Sequence, residues 1–326
     1  MIETWLHVGM PKCGSTTLQR HFARHDEAHR AHGLLYPVTG RNPAGYRSHR
    51  PLLHAGDDLP ALLDGIAGEA REAGAARLVV SSEAFAEHQP GDPRGPAIAD
   101  GLAAATGGPV RVVAWLRHPA DLAVSAFAQL VRAGIFGIDR EAFWRGGPAS
   151  VERFLAAFRH ARGRDLLSPL GHAEAVRAAF SGHEVMLRSA ERDDLGRGLL
   201  ADFCALFEVP RLPGPARRNR RWADRATALA IEAQEQLGPA AFDDRRADLA
   251  PWLSGIEPGP FAPARLRLPA AALAALNETL ERERPALRRQ FATPVDAMTA
   301  PREPDPGTAE WLGPEDLEEL CRRLAP

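Results

Sequence analysis

The sequence predicts an α/β fold: a central parallel sheet flanked by helices, continued by a helical C-terminal region. Three observations carry this expectation. Strand-like runs alternate with helical patterns over the first two-thirds of the 326 residues, which is the order of βαβ units. From about residue 222 the pattern is helical only. The first strand-like run also feeds a glycine-bearing turn that opens straight into a helical pattern, as happens at the ligand edge of a parallel sheet.

The elements follow in order. Strands are expected at about 4–9, 77–82, 109–116 and 183–188. Helices are expected near 15–25, 59–74, 95–106, 119–134, 150–161, 172–180 and 197–207. Pro119 suits the first turn of its helix, where the missing N–H is not needed. In 269–291, Leu273, Leu276, Leu280, Leu287 and Phe291 fall on one helical face. The Pro-rich stretch 293–313 reads as an extended connector, and 314–323 as a short helix with Pro314 in its first turn. The expected organisation is one domain over 1–292, its helices covering the sheet, followed by the connector and short helix of 293–326.

Composition excludes several classes. Hydrophobic residues make up 45% and charged residues 25%, as in a globular protein. A formal net charge of -2 gives no support for bulk nucleic-acid binding. Cys13, Cys204 and Cys321 are far apart and odd in number, with no CxxC or His/Cys ligand spacing. Neither a disulfide framework nor a metal is therefore expected. The first strand-like run starts almost at Met1, so no signal peptide is expected. No apolar run approaches the roughly 20 residues of a membrane span. The expected compartment is the cytoplasm.

The most informative residue is a lysine. Of 40 Lys and Arg residues, all are arginine except Lys12. It lies in Gly9-Met10-Pro11-Lys12-Cys13-Gly14-Ser15-Thr16-Thr17, between the first strand-like run and the first helix. Glycines let successive N–H groups point at one anion. The helix start adds positive potential, and Ser15, Thr16 and Thr17 add donors. A compact ammonium enters such a cradle where a planar guanidinium fork does not. The loop is not a Walker A motif: Gly9 and Gly14 have the spacing, but Ser15 stands where the lysine belongs. The plainer reading is an ordinary strand-to-helix turn.

A second corner follows the run ending at Leu116. Arg117-His118-Pro119 closes a buried strand, and Ser125 falls about two turns into the next helix. An Arg and a Ser at such a corner can hold a phosphate, by a bidentate fork and a hydroxyl. The plainer reading pairs the arginine with a local carboxylate and the serine with its own helix backbone.

Together the two corners resemble PAPS-dependent sulfotransferases, in particular bacterial members with carbohydrate or small-molecule acceptors. Pro11-Lys12-Cys13-Gly14-Ser15-Thr16 resembles that family's loop for the 5′-phosphosulfate, and Arg117 with Ser125 its 3′-phosphate site. Cys13 replaces the commoner Ser or Thr and removes a hydroxyl. Weaker similarity runs through Gly33-Leu34-Leu35-Tyr36-Pro37, Ser81-Ser82-Glu83 and Arg217-Arg218-Asn219-Arg220-Arg221, covering most of 4–291.

The resemblance implies a P-loop-like sulfotransferase architecture and transfer of a sulfuryl group from PAPS to an acceptor hydroxyl or amine, leaving PAP. It implies a general base at the position of Glu83, with His54 as runner-up and His49, His88 and His118 as further candidates. Arg218 and Asn219 would close over the 3′-phosphate; the plainer reading is a solvated basic helix start. No metal enters this scheme. The acceptor would be a glycan, lipid or small molecule shaped by loops 36–58 and 137–150. Two alternatives stand beside it. A P-loop kinase would need a lysine after Gly14 and a strand-end Asp for magnesium. A non-catalytic PAP or PAPS binder would keep the nucleotide site without turnover.

Overall fold

The computed structural model describes every residue except 44–46, 88–91, 135–137, 214–221, 306, 308–310 and 325–326. In chain order the elements are β1 (Glu3–His7), α1 (Ser15–Arg24), α2 (Asp26–Arg30), β2 (Leu34–Leu35), α3 (Leu59–Glu72), β3 (Arg77–Ser81), α4 (Ala84–Glu87), α5 (Arg94–Thr106) and β4 (Val110–Leu116). There follow α6 (Pro119–Ala133), α7 (Arg140–Arg145), α8 (Val151–Arg162), α9 (Pro169–Ala179), β5 (Glu184–Ser189), α10 (Arg192–Leu195) and α11 (Leu199–Leu206). The last four are α12 (Asp224–Leu237), α13 (Pro239–Gly255), α14 (Ala270–Gln290) and α15 (Pro314–Leu324).

The five strands form one sheet in the order β2-β3-β1-β4-β5, with every pairing parallel. The α/β class and the parallel sheet expected from the sequence are therefore present. A parallel sheet buried on both faces needs near-continuous apolar strands. Trp5 and Leu6 in β1, Leu78 to Val80 in β3 and Val112 to Leu116 in β4 are all buried. The chain passes from β3 to β4 across β1, so β1 lies where the winding changes direction. Ligands of such sheets bind at the carboxyl ends of the strands beside that point.

The chain divides into two compact units, each assembled from separated segments. The first comprises Met1–His118, Pro169–Pro215 and Glu281–Ala300, and contains the whole sheet. In it α5 packs on β1 and β4, α9 on β5, and α1 against α11. Helix α11 is fixed by Asp202, which is buried at 7% exposure. Its carboxylate accepts from Trp115 Nε1 at 3.1 Å and from Arg188 Nε at 2.8 Å, while Trp115 stacks on Phe203 at 3.9 Å. The residues after α14 fold onto this unit. Thr293 Oγ1 accepts from the Ser189 N–H at 2.8 Å, and the Asp194 carboxylate accepts from the N–H groups of Ala297 and Met298 at 2.7 and 3.0 Å. Val295, Met298 and Thr299 are buried, so the stretch read as an extended connector is packed over its first eight residues.

The second unit comprises Pro119–Ser168, Ala216–Leu280 and Pro301–Pro326. Helix α12 is its axis, packed by α6, α7, α13 and α15. Its buried Gln234 donates to the Val131 carbonyl at 2.9 Å. Asp139 and Ser150 cap α7 and α8 by accepting from the N–H groups of Ala142 and Arg153, which satisfies otherwise orphaned donors. Leu273, Leu276 and Leu280 in this unit's part of α14 are buried.

Candidate functional site

The loop of residues 9–17 leaves β1 with a hydrogen bond from the Val8 N–H to the Val113 carbonyl at 3.0 Å. Two glycines let it close. A Cβ on Gly9 would sit 2.5 Å from His7 Nε2. A Cβ on Gly14 would sit 2.4 Å from Leu199 Cδ2, and Gly14 has φ +86°. Between them Lys12 itself adopts φ 69°, which costs a non-glycine residue roughly 1–2 kcal/mol. Strain of this kind persists where the surroundings over-determine it, and it clusters at ligand clamps. The Lys12 carbonyl accepts from Arg117 Nη1 at 3.2 Å. The corner after β4 thus holds the loop after β1, across 105 residues of chain.

Gly14 is followed by α1, whose start has no side-chain cap and no acidic residue in its first turn. Ser15 is 4% exposed, and its Oγ has no hydrogen-bond partner. Pro11, Lys12 and Thr16 are half-buried, and Thr17 is exposed. Cys13 is buried, and burial pushes its thiol up to about 12 against the pull of the Arg117 charge. It stays a neutral thiol at physiological pH, and its own N–H donates to the Met10 carbonyl at 3.3 Å.

Glu83 lies in the turn between β3 and α4, half-buried. Because His7 pairs with Ser81 across β1 and β3, this turn stands beside the loop. The link between them is Gln19 of α1, which is fully buried. Its Nε2 donates to Glu83 Oε2 at 3.0 Å and to Ser81 Oγ at 3.3 Å. Ser81 Oγ is also 2.8 Å from His7 Nδ1. The Ser81 N–H donates to His49 Nδ1 at 3.1 Å, so His49 carries its proton on Nε2, which faces the Pro37 carbonyl at 3.2 Å. Burial lowers both His7 and His49 to about 3. Both are neutral anchors of the network.

The other candidates are placed as follows. His54 ends the 3-10 turn Arg50–His54 and is exposed. His118 is buried, with Nε2 2.9 Å from the Ala300 carbonyl and its N–H donating to Glu191 Oε1 at 2.8 Å. It shapes the turn before Pro119. Ser125 is half-buried on α6, in the second unit, whereas Arg117 belongs to the first. His88, Arg218, Asn219 and the rest of 217–221 lie outside the described residues. Among the described residues no group of three acidic, His or Cys side chains is already arranged around a common point for a metal ion. No helix among them is long and apolar enough to cross a membrane.

Sequence reasoning missed Gln19 and His7. The signal for Gln19 was present: it shares the buried face of α1 with Ser15, Leu18 and Phe22, and an amide on such a face must find partners. Neither a family model nor any curated protein sequence matches the chain.

Proposed function

We propose that the chain is a sulfotransferase of P-loop-like architecture that moves a sulfuryl group from PAPS to a hydroxyl or amine of a carbohydrate, lipid or small molecule. The observation that carries this reading is Ser15. A buried hydroxyl without a partner, at an uncapped helix start, inside a loop that bends its one lysine into left-handed backbone, is a donor set awaiting an anion. The resemblance of the loop and of Arg117 with Ser125 to the PAPS-dependent family names that anion.

In this mechanism the acceptor oxygen attacks sulfur as its proton passes to the Glu83 carboxylate, and the bond between sulfur and the 5′-phosphate oxygen breaks. PAP leaves with the new negative charge on that oxygen. Lys12 and the N–H groups of the loop stabilise this charge, which develops in the transition state. Gln19, by donating to Glu83, orients the carboxylate. Arg117 grips the 3′-phosphate and so separates PAPS from ATP.

The test is calorimetry with PAP and AMP. A charge-assisted contact to a partly buried phosphate is worth roughly 1.5–3 kcal/mol. Arg117→Ala should weaken PAP binding at least tenfold and leave AMP binding nearly unchanged. Equal losses for both ligands would assign Arg117 to support of the loop through the Lys12 carbonyl, and the 3′-phosphate role would fall.

A further inference from the structure

Behind the loop, at the far end of α1, lies a second polar cluster that the donor site does not use. His21 on α1, His25 just after it and His29 on α2 have ring centroids 4.9, 5.1 and 6.3 Å apart. Cys204 Sγ, from α11, is 3.6 Å from His21 Nε2. His21, His29 and Cys204 are buried. Yet His21 Nδ1, His25 Nε2 and Asp26 Oδ1 are buried with no hydrogen-bond partner, and His29 has only a poorly aligned approach to the Pro210 carbonyl. A native domain carries only a few such atoms per 100 residues, and an unplaced ion is one of their recognised causes.

The spacings of His21 to His25, His29 and Cys204 are those of ligands to one ion, and the His25–His29 separation is wider. Imidazole nitrogens bind zinc at about 2.0–2.1 Å and thiolates at about 2.3 Å, in tetrahedral geometry. Two such rings then have centroids roughly 5 Å apart, and sulfur and nitrogen lie about 3.5 Å apart. As placed, no three described His, Cys, Asp or Glu side chains could hold a metal ion. A half-turn about χ2 of an imidazole exchanges its nitrogens with carbons and leaves the ring in place. Convergence therefore asks for ring flips and for His25 and His29, 6.3 Å apart, to draw closer.

We propose that His21, His25, His29 and Cys204 bind one divalent transition-metal ion, with zinc favoured by the nitrogen and thiolate donors. The ion staples α1, which begins at the loop, to α11. Binding releases the Cys204 thiol proton to solvent as the sulfur–metal bond forms. Burial pushes the Cys204 thiol up to about 11, against the pull of the Arg211 charge, so the sulfur gives up its proton only as the metal binds. The Asp26 charge favours a protonated His29 and would favour a cation there, while Asp26 Oδ2 pairs with Arg30 at 2.8 Å. The proposal is independent of the sulfuryl-transfer reading.

The experiment uses the full chain, stripped of metal and titrated with cobalt(II) alone. A stoichiometric spectrum should appear with visible ligand-field bands of four-coordinate cobalt and near-ultraviolet thiolate-to-cobalt charge transfer, and zinc should displace it and raise the melting temperature. Cys204→Ser should abolish the charge-transfer band. His25→Gln, at a half-buried position, should keep the fold by circular dichroism and weaken binding at least tenfold. Cys321→Ser, at an exposed position, should change nothing. Failure of the stripped protein to give a four-coordinate spectrum would overturn the proposal. So would a spectrum that survives in both Cys204→Ser and His25→Gln.

Discussion

Two groups of histidines flank α1 and show opposite solutions to one problem. His7 and His49 are fully buried, and each has its partners: Ser81 Oγ for the first, the Ser81 N–H and the Pro37 carbonyl for the second. His21 and His29 are also buried, but their rings have no hydrogen bond beyond the approach of His21 Nε2 to Cys204 and of His29 to the Pro210 carbonyl. The first group is wired into β3 and, through Gln19, into Glu83. Its polarity is consumed in holding the site together. The second group keeps most of its lone pairs unspent. Burial alone therefore does not separate a structural histidine from a ligand-seeking one; the state of its partners does.

The sharpest test of the satisfied group is Glu83→Gln. The amide still offers an oxygen to Gln19, so the network stays intact and only proton acceptance is lost. Turnover should fall about 10²–10⁴-fold, with melting temperature and PAP affinity unchanged. A large drop in melting temperature would instead make Glu83 a structural member of the network.

The next effect is acid lability. His7 and His49 sit at about 3 in the folded chain, against 6.5 unfolded. The unfolded state therefore binds more protons between those values. Their contribution to stability is complete above about pH 6.5 and is lost as pH falls toward 3, with a ceiling near 1.4 kcal/mol per pH unit for each. Urea midpoints followed from about pH 7 to about pH 4 should show this slope, and His49→Asn should flatten it. An unchanged slope in that variant would remove His49 from the account.

The smallest effect separates the two groups directly. Ser81→Ala strips partners from His7 and Gln19 and should cost about 1–3 kcal/mol. His29→Leu, in metal-stripped protein, removes a buried ring whose one approach, to the Pro210 carbonyl, is poorly aligned, and should be near neutral or stabilising. Equal destabilisation by both would mean that His29 is fully partnered after all, and the contrast would collapse.

The legibility of these features in the sequence varied for physical reasons. β1, β3 and β4 are apolar runs between turn signals, and the structure has them where the pattern places them. β2 is two residues, Leu34–Leu35, too short for any period to register. The loop could be read because Pro11, Lys12 and Gly14 are neighbours in sequence. The bond from Arg117 to Lys12 could not, since it spans 105 residues and no local pattern encodes a partner. His21, His25 and His29 recur every four residues, but the cysteine that completes their cluster comes from α11 and is supplied only by the fold. Gln19 lay between the two cases: its burial follows from the helix face, and its bond to Glu83 from the adjacency of β1 and β3.

The packed stretch after α14 has a consequence for how the chain is made. Edge strand β5 is finished by residues from near the end of the sequence: the Ala292 N–H donates to the Leu187 carbonyl at 2.8 Å, Thr293 takes the Ser189 N–H, and Asp194 gathers the backbone of Ala297 and Met298. A growing polypeptide emerges at about 5–20 residues per second. Throughout that time the sheet's outer edge waits with its last strand uncovered and with Asp194 holding the Ser189 hydroxyl but lacking these two backbone donors. The first unit closes only when residues 292–298 have left the ribosome, so a message cut short before them yields a protein with a finished loop after β1 and an open flank.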